Sequence, residues 1–426
     1  CGGTVATYRF TARGSRHSDG EQGALPLLTN RQAVTASVSM YANGSEAKHY
    51  SLELPTSETA QPVGLTVEYT ANPIWLAIQS LPYMADHKNP SNIYLFNSWY
   101  ANTLGLEIAK KHPELRHAAD NAADGESPLF ANADIKQTLL DETPWLRDGL
   151  KETDRLRRIA NYYNEASLQQ QLDETLKTLK KEQRLNGSWP WMPDGKYPSL
   201  HTTQYILRGL GQMSRRTGEG IGNMEIKALG YIDGEAYKAY LEWKRLMNKY
   251  PGIQCEPINL DYLYTRSFYG GKRLGKLHKT AYDFYYSNLK KNHSDYTTLY
   301  NQALLALIFH RHGDTKLATE MVARIKEKAL YSDEMGMYWR DNRSGWFWYQ
   351  RPIETQALLI ETFREVTPGD TASVARMQQW LLKQKQTTSW STDIATLRAI
   401  QALMPSVKSY ELRVKSGIPF YKVVPS

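Results

Sequence analysis

Residues 48 to 54 read Lys-His-Tyr-Ser-Leu-Glu-Leu, with apolar side chains on every second position, and Leu65, Val67 and Tyr69 repeat that period. Such alternation predicts strands with one buried face. Turn chemistry at Asn43-Gly44 and near Pro62 separates them. Tyr410, Leu412 and Val414 alternate again near the other end, ahead of Gly417 and Pro419. Strand-forming segments are therefore expected at both ends of the chain, over 1–70 and 406–426.

Over 71–405 the period changes to that of helices. Asn89-Pro90 reads as the cap of a helix reaching Lys111, with Leu95, Trp99, Leu104 and Ile108 along one face. Leu168, Leu172, Leu176 and Leu179 mark the apolar face of a second, heavily charged helix. Further helices are predicted over 199–216, 233–250, 276–291, 295–312, 315–330, 352–366, 371–385 and 391–404. Many helices joined by short loops, with few strands among them, predict an all-α domain.

A weak repeat runs through this helical stretch. Gln183, Gly187 and Trp189 precede a helix carrying Thr203-Gln204, and Trp346 and Trp348 precede one carrying Thr355-Gln356. Gln384, Thr388 and Trp390 precede Thr392, Ala395 and Ala402. Each unit is a helix, an aromatic turn and a second helix. Pairs of this kind bury their apolar faces against neighbouring pairs and can close into a ring. The turn 183–195, with Trp189 and Trp191, is then a packing device: the glutamine bonds the start of the next helix and the indole covers the joint. A ligand or partner surface built from Trp189, Trp191, Trp346, Trp348 and Trp390 is the alternative reading.

Composition narrows the function classes. The 426 residues are 41% hydrophobic and 23% charged, enough for two or three domains with sizeable cores. Tyrosine and tryptophan (28 and 11) far outnumber the 9 phenylalanines, which suits half-wet concave surfaces as well as cores with hydrogen-bonded tips. A formal charge of +8 is modest for this length, and its basic residues alternate with acids, so nucleic acid is not an expected partner. The two cysteines, Cys1 and Cys255, exclude a disulfide framework and any Cys/His ligand set. No apolar run approaches the length of a transmembrane span. Without an initiating Met or a signal peptide, the chain is read as a piece of something larger.

Searching for catalytic chemistry yields little. There is no Gly-x-Ser-x-Gly elbow, no phosphate-binding glycine loop and no His-Glu-x-x-His. His310 and His312, two apart, fall on different helix faces, and Cys255 has no adjacent histidine. No metal and no cofactor are expected. Glu334, Asp341 and Glu354 cluster around the aromatic loop 338–349, as carboxylates do in sugar-active α/α barrels, where a pair flanks the glycosidic bond. Solvated loop charges are the alternative for all three. Asn43, Asn186, Asn292 and Asn342 each open an Asn-x-Ser sequon, from which nothing is drawn, since in a bacterial source these would be chance matches.

The Gln-x3-Gly-x-Trp pattern resembles the repeat of terpenoid cyclases and other α/α toroids, but the chain has no Asp-Asp pair, which argues against cyclase or prenyltransferase chemistry. A second resemblance covers essentially the whole chain. Phe10-x-Ala12, Ser18-Asp19-Gly20-Glu21-Gln22, Leu25-Pro26 and Thr29-Asn30-Arg31 look like the region before the thioester domain of bacterial members of the alpha-2-macroglobulin family. Asn72 to Pro82 looks like the entry helix of that domain, and Gly187 to Trp191 and Trp390-x-Thr392 fit its toroid. The fold that this implies is mainly α: a terpenoid-cyclase-like α/α toroid, 71–405, inserted in a small β-sandwich formed by 1–70 and 406–426. Family members that form a thioester carry Cys-x-Glu-Gln about ten residues before a proline; the matching place here is Asn72-Pro73-Ile74-Trp75, which has neither the sulfur nor the glutamine. The resemblance therefore implies a non-enzymatic fragment of an endopeptidase inhibitor. Its full-length protein would trap proteases non-covalently, in the bacterial periplasm or at the cell surface, held by a lipid anchor outside this chain. Its other expected partners are further macroglobulin domains of the same protein. A carbohydrate-active toroid enzyme and a protein-interaction module using the aromatic loops are the alternatives.

Overall fold

In the computed structural model, residues 5–26, 49, 65–67, 77–85, 91–111, 161–218, 222–250, 260–270, 274–343, 351–385, 389–404 and 422–424 are described. Strands β1 (Val5–Arg13) and β2 (Ser18–Pro26) form an antiparallel hairpin in continuous register, from Val5 opposite Pro26 to Arg13 opposite Ser18. Strand β3 (Leu65–Val67) pairs antiparallel with β6 (Lys422–Val424), so the two ends of the chain meet in one sheet. The alternating runs 48–54 and 410–414 lie outside the described residues, apart from His49.

The rest is helical. Twelve α-helices follow among the described residues: α1 (Leu81–Ala85), α2 (Asn92–Lys111), α3 (Glu165–Glu182), α4 (Leu200–Thr217), α5 (Asn223–Lys249) and α6 (Leu260–Ser267). After these come α7 (Lys276–Lys291), α8 (Leu299–Arg311), α9 (Thr315–Glu327), α10 (Pro352–Val366), α11 (Thr371–Lys383) and α12 (Asp393–Leu403). The even-numbered helices contact one another in the order α2, α4, α6, α8, α10, α12, and α12 returns to α2. The odd-numbered helices lie outside, each against its even neighbours or the next outer helix. The chain is a mainly-α toroid with a closed inner ring.

Burial separates the two rings. An inner helix is covered on both sides, so α8 buries every residue from Ala303 to Phe309 and α2 is buried nearly all round. Outer helix α3 buries only Leu168, Leu179 and Glu182 and exposes its charged face. Polar caps set the boundaries: Asn164, Ser199, Thr298, Asp370 and Thr392 each accept a hydrogen bond from a first-turn N–H. Basic pairs close α3, α4 and α7, where the helix dipole favours them.

Several boundaries differ from expectation. Helix α5 begins at Asn223 rather than 233, because Ala228, Leu229 and Ile232 bury against the ring despite Gly230 and Gly234. Its start is held by the Glu225 carboxylate, which accepts from the Gly222 N–H at 2.5 Å. Helix α2 begins at Asn92, past the proposed Asn89-Pro90 cap, with Ser91 Oγ facing the Tyr94 N–H at 3.4 Å. Helix α8 starts at Leu299 under the Thr298 cap, after a separate 3-10 turn at His293–Asp295. Helix α6 has eight residues, too few to show a period, yet all but Asp261 are buried. A short hairpin, β4 (Leu330–Ser332) and β5 (Gly336–Tyr338), follows α9 and packs on α11.

Candidate functional site

Three helix joints are built alike. Trp189, fully buried, donates its indole N–H to the Leu179 carbonyl in the last turn of α3 at 2.9 Å. Its backbone N–H donates to Thr203 Oγ of α4 at 3.0 Å. Trp390 repeats both bonds, to the Leu381 carbonyl of α11 at 2.8 Å and Thr396 Oγ of α12 at 3.0 Å. Trp339 donates to the Ile325 carbonyl of α9 at 2.8 Å. Each indole thus donates to a last-turn carbonyl of an outer helix; those of Leu179 and Ile325 also accept from the Gln183 and Lys328 N–H groups, at 3.2 and 3.3 Å.

Gly187 and Gly336 sit at matching places in two of these joints, both with positive φ (91° and 76°). A Cβ at Gly187 would overlap the Lys227 carbonyl of α5, and one at Gly336 the Arg376 carbonyl of α11. Backbone there lies directly on backbone of the adjoining outer helix, which only glycine allows. Gln183 donates to the Gly187 carbonyl at 3.0 Å and to the Met224 carbonyl of α5 at 2.8 Å. The glutamine therefore ties the joint to the next outer helix, skipping α4, which is the next helix in sequence.

Trp339 was not among the aromatics singled out from the sequence; it follows its glycine by three positions where Trp189 follows by two, and the hairpin absorbs the extra residue. Trp346 and Trp348 lie outside the described residues, as do Asn72, Pro73, Ile74, Trp75, Cys1 and Cys255. Trp191 behaves unlike Trp189. It is 46% exposed and stacks on His201, while its carbonyl and that of Pro190 accept from the backbone and side-chain N–H groups of Asn92, each at 3.0 Å. The loop thus docks on the start of α2 and leaves one indole on the rim.

The inner helices place a polar, charged lining along the ring axis. Arg208 (α4) pairs with Asp261 (α6) at 3.0 Å and lies over the Tyr264 ring. Tyr264 donates to both carboxylate oxygens of Glu361 (α10), each at 2.8 Å. Arg311 (α8) pairs with Glu361 at 2.7 Å and Glu365 at 2.5 Å and covers the Phe268 ring. Arg216 reaches Glu107 of α2 at 3.1 Å. Burial works against the charge of both Arg208 and Arg311, but their carboxylates hold each guanidinium above its usual range.

Other groups on the axis are pushed toward neutrality. Burial raises the Glu354 carboxyl to about 7; its Oε2 has no hydrogen-bond partner, and Arg351 and Arg398 only partly offset the shift. Burial lowers His201 to about 4, reinforced by Arg208, and raises the Tyr205 phenol to about 12.

Of the three carboxylates singled out by sequence, only Glu354 lies in this lining. Glu334 sits exposed in the β4–β5 turn, paired with Lys383 of α11 at 2.6 Å, and Asp341 is exposed after Trp339. They do not form one cluster with Glu354, because the short hairpin carries the loop outward onto α11. His312 caps α8 with Nδ1 on the Ile308 carbonyl at 2.7 Å, bonds the Tyr282 hydroxyl and stacks on Tyr286, which is a packing role. Among the described residues no His, Cys, Asp or Glu group has a metal-binding arrangement, and no helix is long and apolar enough to cross a membrane.

The axial lining was largely missed by sequence reasoning. Arg208, Asp261, Tyr264 and Glu361 carry no motif; an acid or base recurring on helices that are otherwise apolar all round was the available signal.

Residues 271–405 match the family model of the A-macroglobulin TED domain. That span contains α7 to α12, half of the ring. No curated protein matches the chain.

Proposed function

We propose that the chain is the thioester-domain-like part of a macroglobulin-type endopeptidase inhibitor, one that encloses proteases by conformational change and forms no thioester. The observation that carries this reading is the A-macroglobulin TED match over 271–405, falling on the helices of a closed α/α ring. The missing thioester rests on the sequence: the only cysteines are Cys1 and Cys255, and neither is followed three positions on by glutamine, so the acyl-sulfur bond lacks its two partners in the usual spacing. No catalytic turnover goes with this function. Its partners are proteases, engaged through the full-length protein, and neighbouring domains of the same protein. A periplasmic or cell-surface location in a bacterium completes the reading.

The test uses the complete gene product that carries this chain. Enclosure is steric, so a protease mixed with it should lose activity on a protein substrate while still cleaving a small chromogenic peptide. The complex should fall apart in a denaturing gel, because no covalent bond joins the two. Equal loss of activity on both substrates, or an adduct that survives denaturation, would refute the mechanism.

A further inference from the structure

Helix α5 outruns the ring. Its last buried residue is Asp233, yet it continues from Gly234 to Lys249, about 24 Å of further helix. Helix α7 covers the first part of that length. Tyr237 meets His278 at 5.9 Å, Tyr240 meets Phe284 at 5.0 Å, and the Tyr285 hydroxyl donates to the Ala236 carbonyl at 2.9 Å. From Leu241 to Tyr250, eight of ten residues are exposed. Among the described residues, none of the ten makes a hydrogen bond, ion pair or ring contact to another element; their bonds stay within α5.

A helix end standing in water is expected to be polar all round. This one is not. Trp243, Leu246, Met247 and Tyr250 recur at i, i+3, i+4 and i+7, which puts them in one stripe over the last two turns. None of the four is buried, and Met247 and Tyr250 are 42% and 51% exposed. The fold therefore gains little from a stripe that the sequence nonetheless keeps apolar.

The charges beside it are uneven. Glu235 pairs with Lys238 at 2.7 Å and Glu242 with Arg245 at 2.6 Å, and these are the only acids between Gly234 and Tyr250. Lys244 and Lys249 are left with no ion-paired carboxylate among the described residues. At 100° per residue, each lies about 60° beyond one edge of the stripe, Lys244 past Met247 and Lys249 past Leu246. Their ammonium groups hang over aromatic rings, Lys244 at 6.0 Å from the Tyr240 centroid and Lys249 at 5.1 Å from that of Tyr250.

We propose that the last two turns of α5 dock on an anionic lipid surface, with Trp243, Leu246, Met247 and Tyr250 entering the headgroup layer and Lys244 and Lys249 meeting lipid phosphates. Tryptophan and tyrosine, with an apolar body and a polar tip, suit that depth. Lysine stems reach from an apolar border out to charged headgroups. A protein groove that accepts a helix sets a charged partner opposite individual residues; unpaired lysines on both borders of the stripe match a surface that is anionic on every side. This contact is peripheral and does not depend on protease enclosure.

The test is sedimentation of the full chain with phosphatidylcholine vesicles, with and without phosphatidylglycerol, in moderate salt. The wild type should bind only the anionic vesicles. Lys244→Gln with Lys249→Gln should weaken binding about fivefold for each lysine. Because the chain carries a formal charge of +8, bulk attraction is set by a control of equal charge loss, Lys177→Gln with Lys180→Gln on the exposed face of α3, which should stay near the wild-type value. Met247→Ser with Tyr250→Ser leaves the charge unchanged and should weaken binding about tenfold. All of these side chains are exposed, so urea midpoints close to the wild type separate lost binding from lost folding. The proposal is overturned if the wild type stays in the supernatant with anionic vesicles, which would leave the stripe to a protein partner. It is equally overturned if the serine pair binds like the wild type, or if the α5 lysine pair binds as well as the α3 control.

Discussion

Replacing Glu354 by glutamine gives the sharpest quantitative test of the ring interior. The carboxyl is 6% exposed, titrates near 7 in the fold and has an ordinary value of 4.5. The fold therefore binds its proton more tightly than the unfolded chain does. The contribution is fully present below about pH 4.5 and is lost as the pH rises through about 7. Each pH unit between those limits is worth about 1.4 kcal/mol, so ionised Glu354 costs about 3 kcal/mol at pH 8. Glutamine has the same shape and no charge, but the site does not fully satisfy its amide at any pH, so Glu354→Gln should be less stable than the wild type by about 1 kcal/mol near pH 4.5 and more stable by about 2 kcal/mol at pH 8. Urea unfolding followed by tryptophan fluorescence at pH 5, 6, 7 and 8 measures the difference directly. A constant gap between the two proteins across that range, or a variant less stable at pH 8, contradicts the assignment of a desolvated, poorly partnered carboxyl.

Three further substitutions probe the joints and the core. Gly187→Ala forces a Cβ at φ 91° against the Lys227 carbonyl and should cost roughly 2 kcal/mol or more, seen as a lower urea midpoint; a change of a few tenths would mean that the joint is not tightly packed. Trp390→Phe removes the donor to Leu381 and part of the buried indole, so a loss of at least about 1–2 kcal/mol is expected in the same assay, and no loss would show that neither the bond nor the packing holds the joint. Asp233→Ala leaves Arg266, with no exposed surface, without the carboxylate that it meets at 3.1 Å; about 3–5 kcal/mol should be lost, most of it regained when Arg266→Met is added, and failure of that rescue would point to a role beyond charge pairing.

The helices were legible wherever a period had room to develop. The runs 276–291 and 352–366 match α7 and α10 because each keeps its period over more than three turns, and α10 also starts on a proline. Helix α6, of two turns, showed nothing, and the early part of α5 was hidden by Gly230 and Gly234, whose unfavourable propensity the buried Ala228, Leu229 and Ile232 outweigh. The tryptophan joints were legible as a motif but not as a bonding pattern: sequence pointed to Trp189 and Trp390, yet the acceptors Leu179 and Leu381 are backbone atoms with no residue signature. Least legible was the axis. Arg208, Tyr264 and Glu361 lie on three different helices, and only ring closure makes them neighbours.

That closure is itself the unusual contact. Among the described residues, every other pair of adjacent inner helices has one outer helix between them in sequence, whereas α12 meets α2 across almost the whole toroid. Joining ends so far apart carries a loop-closure cost that the other contacts do not, although the cost grows only slowly with length. The fold offsets it with bonds made at the same seam. Tyr83 donates to the Asp393 carboxylate at 3.3 Å, α1 packs on α12, and β3, which precedes α1, pairs with β6, which follows α12. The strand pair and the seam thus join the same two stretches of chain. Anything that draws β3 from β6 removes part of what holds α2 to α12, while the joints at Trp189, Trp339 and Trp390 lie away from that line and are left intact.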